Sequence, residues 1–115
     1  MKLGRGVFII FALMLIALPG LAQDASTSPS TQALKDAGKK MHRDMMIVYS
    51  GDTDSDFVRG MLAHHQGAVD MAKVELQYGS DPDIKKLAQD IVDSQTREIA
   101  MMNEWIKRHG QTPAH

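Results

Sequence analysis

From Gln32 onward the apolar positions recur at intervals of three and four, in three separate runs. Leu34, Ala37, Met41, Met45 and Val48 form one stripe and predict a first helix over 32–49. Lys35, Lys39, Lys40 and Arg43 fall outside it, while His42 and Met46 stand on its shoulder, one turn apart. In the second run Met61, His65, Ala68 and Ala72 share a face, and His64, Met71 and Glu75 follow its edge. This predicts a helix over 56–78 that Gly79 stops. The third run places Ile84, Leu87, Ala88, Ile91, Met102, Trp105 and Ile106 on one face. Asp81 caps that helix, Pro82 opens it, and Gly110 and Pro113 end it beyond His109. Gln95 and Glu98 interrupt its apolar face with polar groups that require partners. None of the runs reads as a strand. Three amphipathic helices joined by short turns pack as antiparallel neighbours, so the expected class is an all-α bundle over 32–110 with a tail at 111–115.

The chain before the helices has a different pattern. Lys2 and Arg5 precede an unbroken apolar run from Val7 to Leu18, then Pro19 and the small residues Gly20 and Ala22. That order describes a secretory signal peptide over 1–22, cleaved after Ala22. The run is too short for a permanent anchor, because spanning a bilayer takes roughly 20 apolar residues. The expected location is therefore periplasmic or otherwise extracytoplasmic, with no membrane attachment after cleavage. Residues 23–31, QDASTSPST, read as a disordered flexible spacer.

Export changes the meaning of the composition. The leader carries two basic residues and no acidic one, so the exported chain is more acidic than the full chain's net charge of −1. No basic stripe is present, which argues against nucleic acid as a partner. Cysteine is absent, so a small exported domain has no disulfide to restrain its unfolded state. A helical core, a second copy or a bound metal must supply the stability instead. Of nine methionines only Met1 and Met14 fall in the leader, leaving a thioether-rich domain.

In an antiparallel bundle the first helix brings Met41, His42, Met45 and Met46. The second brings Met61, His64, His65 and Met71, and the third Gln95, Glu98, Met101 and Met102. Thioether sulfur is soft and uncharged and suits Cu(I) far better than Zn(II), Mg(II) or Ca(II), while imidazole binds both copper states. HHQGA lacks the HExxH spacing of zinc peptidases, and neither Glu75 nor Glu98 opens a Glu-x-x-His of the di-iron kind. Asp52, Asp54 and Asp56 alternate like the start of a calcium loop, but Phe57 and Ala63 occupy its glycine and glutamate positions. These acids fit better as helix-capping groups. Taken singly, each methionine is more often core filler than ligand, and each histidine more often a surface or satisfied core residue. The coincidence of His-Met clusters on two helices, a Met pair on the third, export and absent cysteine favours a soft metal.

MHRDMM (41–46), DFVRGMLAHHQGAVDMA (56–72) and KKLAQDIVDSQTREIAMMNEW (85–105) together resemble DUF family 305, the ferritin-like domain of the CopM-type periplasmic copper-binding proteins. The resemblance extends over about Leu34 to Arg108. It implies a helical bundle, export, and copper binding linked to copper resistance. By motif match, the implied metal ligands are Met41, His42, Met45, Met46, His64, His65, Met71, Met101 and Met102, with Met61, Gln95 and Glu98 beside them. A ferritin-like bundle has four helices and this pattern supplies three, so a short helix in the spacer or a second copy must complete it.

The sequence therefore leads to a non-enzymatic, exported copper-binding protein for sequestration, transfer or resistance. Cu(I) is the favoured ion, and Cu(II) and Ag(I) are accommodated. Its partners would be the metal ion, a copper efflux or delivery protein, and a second copy of the chain. Two other readings remain: a helical module whose Met-rich groove receives a partner's helix, and, more weakly, a copper-dependent oxidoreductase.

Overall fold

The computed structural model describes residues 27–109, which form three α-helices: α1 (Pro29–Asp44), α2 (Thr53–Tyr78) and α3 (Pro82–His109). Among the described residues there is no strand. The leader and residues 23–26, as well as 110–115, lie outside the described residues.

Each helix starts where a side chain accepts from the otherwise unpaired first-turn amides. Ser28 Oγ accepts from the Thr31 N–H at 3.2 Å, with Pro29 as the first helical residue. Asp52 accepts from the Ser55 N–H at 3.0 Å, and Asp81 Oδ1 accepts from the Asp83 and Ile84 amides at 2.9 and 3.1 Å. The Asp81-Pro82 start thus stands as expected. The first two helices depart from expectation. Residues 28–31, expected to be spacer, instead form the cap and first turn of α1. At its other end α1 stops at Asp44, not Tyr49.

The early stop has two causes. Ile47, Val48 and Tyr49 are β-branched or aromatic and lose rotamer freedom against a preceding helical turn. The connection also has better partners outside the helix. Asp56 accepts from the Ser50 N–H at 2.8 Å, the Ser50 hydroxyl at 2.9 Å and the Gly51 N–H at 3.0 Å. Gly51 takes φ +89°, open to glycine without strain. Asp56 therefore organises the turn, and the capping role falls to Asp52, which starts α2 three residues earlier than expected.

α2 is the central element. The buried apolar side chains are Val58, Val69 and Ala72 of α2 and Ala88 and Met102 of α3, and α1 contributes none. α1 instead meets α2 at Gly67, where Met41 fills the space that any side chain would need; a Cβ there would stand 2.7 Å from Met41 Cβ. Gly67 lies about 200° around the helix from His65 and Val69, which face α3. α1 and α3 therefore flank α2 on nearly opposite sides and make no close backbone approach to each other. The result is the expected all-α bundle of three antiparallel helices, laid out as an open layer with α2 at its centre. No helix among the described residues is long and apolar enough to cross a membrane.

Candidate metal centre

The pairings fix which residues share a level. Met41 sits at Gly67 and Ile47 approaches Gly60, so the end of α1 lies beside the first half of α2. His65 meets Glu98, which sets the last part of α3 beside the same stretch. The end of the layer formed by these three segments carries most of the Met and His residues.

His65 is the best-defined of them. Its side chain is 14% exposed, and its Nε2 lies 2.5 Å from Glu98 Oε2. An ionised carboxylate only accepts, so Nε2 carries the proton and donates. Nδ1 is buried and has no partner among the described residues, and the same holds for Gln95 Oε1. In a neutral ring that nitrogen holds a lone pair facing the protein interior. A histidine whose one N–H is held by a carboxylate while the other nitrogen stays free has the arrangement found at metal-ligating imidazoles. Met61 lies one turn earlier on the same face of α2, half-buried, and Met102 of α3 is 7% exposed at the neighbouring level.

The other expected ligands lie elsewhere. His64 and His42 are exposed and form no hydrogen bond or ion pair among the described residues. The His64 ring stands edge-on to that of His65, centroids 6.2 Å apart. Met45 is the C-terminal cap of α1, 40% exposed, and Met101 is 64% exposed. Met46 has left the helix, so its expected position one turn from His42 is not realised, for the reasons that end α1 early. Met41 is occupied in packing on Gly67. Met71 lies two turns beyond His64, about 10 Å along the axis, so one chain does not bring the two together.

Met71 instead lines a groove of about 370 Å³ at the opposite end, with Leu34, Ala68, Glu75, Ile84 and Leu87. All three helices contribute to this apolar wall, on the side left open between α1 and α3. Among the described residues no three His, Asp or Glu side chains lie together so as to hold a metal ion.

Geometry and residue types define a small all-α protein with one half-buried, carboxylate-anchored histidine on its central helix, Met61 one turn away on the same helix, and an open side along that helix. Residues 54–115, more than half of the chain, match the family described as "Domain of unknown function (DUF305)". The chain belongs to that family. It is also similar to "Uncharacterized protein L153" of Acanthamoeba polyphaga mimivirus, 41% identical over 64 residues, covering 51% of this chain and 42% of the relative. The chain thus spans about two-fifths of that relative's length.

Proposed function

We propose that this protein is an exported copper-binding protein in which methionine sulfur and histidine nitrogen hold Cu(I) as cargo, for sequestration, transfer or resistance. The observation that carries this reading is His65, held at Nε2 by Glu98 and left with a free buried Nδ1. Met61 and Met102, beside it in sequence register, offer thioethers, and a set of one imidazole and soft sulfurs selects Cu(I) over Zn(II). The exposed His42 and Met45 near the same end would pass the ion to or from a delivery or efflux protein. Cu(II) and Ag(I) fit the same donors less selectively. The role is binding, with no catalytic step assigned to these groups. The MHRDMM and MLAHHQGAVDMA segments further support a ferritin-like, CopM-type relationship within the family, and the apolar leader supports a periplasmic location.

Competition titration against a Cu(I) chelator, repeated with Zn(II), tests the reading. Cu(I) binding much tighter than Zn(II), weakened in His65→Ala, is the expected result. Zn(II) binding equal to or tighter than Cu(I) overturns it. The open apolar groove favours a second reading, a module that receives another helix, and it concerns the opposite end of the layer.

A further inference from the structure

The open side of α2 has a regular pattern. Phe57, His64, Met71 and Tyr78 recur every seven residues, with Met61, Ala68 and Glu75 at the intervening positions. Alternating spacings of four and three generate a seam that faces a partner helix. Phe57, Met71 and Tyr78 are 62%, 42% and 44% exposed, so the seam has no partner within the described residues. Ile84, Leu87 and Met101 continue the open surface on α3 at 48%, 54% and 64% exposure.

The geometry points to a second copy of this chain as the occupant, packed antiparallel about a two-fold axis at Ala68, with His64 of each copy meeting Met71 of the other to form two intersubunit Cu(I) sites. The register is self-complementary. Centred on Ala68, His64 and Met71 lie almost equally far from the axis on opposite sides. A two-fold rotation then brings each to within about one residue's rise, 1.5 Å, of the level of the other copy's partner residue. The same rotation sets Phe57 opposite Tyr78 and leaves the small Ala68 at the crossing point, where the backbones come closest.

Charge selects this orientation. α3 begins with Asp81 and Asp83 and ends with Lys107, Arg108 and His109. Antiparallel stacking lays the basic end of one α3 over the acidic start of the other. Parallel stacking would lay it over the partner's end of α1, where His42 and Arg43 are also basic. The arrangement explains why His64 and Met71 share an edge of α2 yet stand too far apart to act within one chain.

This inference rests on the copper reading, and subunit mixing separates the two. His64→Ala and Met71→Leu are exposed, size-tolerant changes. Copper stoichiometry and sedimentation equilibrium are measured on the processed protein, on each variant, and on an equimolar mixture re-equilibrated from dilute monomer. A dimer is expected, with each variant losing one tight Cu(I) per chain. The mixture should recover about a quarter of the lost sites, because half the dimers are mixed and each restores one site of two. A monomer at tens of micromolar, as when N-terminal residues fill the groove, overturns the proposal and leaves the copper reading standing. A dimer that binds copper but shows no recovery on mixing does the same. No tight Cu(I) binding in the unaltered protein overturns the copper reading and this site with it.

Discussion

His65 and Glu98 join α2 to α3 through one side-chain contact, Nε2 to Oε2 at 2.5 Å, beside a thin core of small and medium side chains. His65 is mostly buried and Glu98 about half exposed, so the histidine supplies both packing and the bond. His65→Ala is expected to cost about 1–3 kcal/mol, from the lost bond and the space left behind. Glu98→Gln keeps an acceptor in place and should cost less. His64→Ala, at an exposed side chain without a hydrogen bond, should leave stability within about 0.5 kcal/mol. Urea midpoints of the metal-free proteins at constant m-value measure all three, and a His64→Ala cost equal to that of His65→Ala would show α2 rotated from the orientation described.

Gly67 and Met41 make the corresponding contact on the other side of α2. A methyl group at Gly67 would run into the Met41 side chain, which must leave its place or push α1 away. Helix propensity alone would make Gly67→Ala stabilising by up to about 1 kcal/mol. Overpacking costs about 1–3 kcal/mol, and here it should win. Gly67→Ala is therefore expected to destabilise, and Met41→Ala in the same chain should recover part of the loss. The double-mutant cycle measures this coupling. Strict additivity would mean that the two residues do not touch.

How much of this was legible in the sequence follows from how local each cause is. Asp81-Pro82 announces α3 because cap and first turn lie within four residues of each other. The His65–Glu98 pair was legible for a similar reason: both groups fall inside apolar stripes, where a polar side chain must find a partner. The end of α1 was not legible. It depends on Ser50 and Gly51 finding Asp56 across the turn and on Ile47 lying against Gly60, contacts that the periodicity of 41–49 does not encode. Met46 was misplaced on the helix for that reason. Gly67 passed unnoticed, although a glycine inside a long alanine-rich helix face is itself a sign of close backbone approach.

Asp56 gives the turn a pH dependence. The Ser50 amide is the main cause that holds its carboxyl down from 3.8 to about 2, with the Ser50 hydroxyl, Arg59 and the Gly51 amide adding to it. A carboxyl whose pKa is lower when folded stabilises the fold above its ordinary value and loses that contribution as pH falls through the folded one. Stability should hold above pH 4 and decline between 3.8 and about 2. Glu104, lowered by its bond to Lys107, acts in the same direction. Asp56→Asn should lower stability at neutral pH and flatten, without abolishing, the acid decline. Urea midpoints from pH 7 to pH 2 show this, and an unchanged acid slope in Asp56→Asn would remove Asp56 from its role in the turn.

Copper should also stabilise the fold, because the proposed donors come together only when α2 packs on α3. A single folded-state site with Cu(I) at a hundredfold excess over its Kd adds about 2.7 kcal/mol. The test must separate ligand from filler, since Met102 is buried and Met61 half-buried in the same interface. Leucine matches methionine in volume and lacks the sulfur, so Met61→Leu and Met102→Leu should each cost the metal-free protein less than about 1.5 kcal/mol. The copper-dependent increment should fall sharply in both, while Zn(II) at the same free concentration, a much smaller multiple of its own weaker Kd, should add little to the unaltered protein. Thermal unfolding with and without Cu(I) reads the increment directly. If it is undiminished in both leucine variants, these two sulfurs are packing groups and the proposed centre of His65 with Met61 and Met102 is refuted.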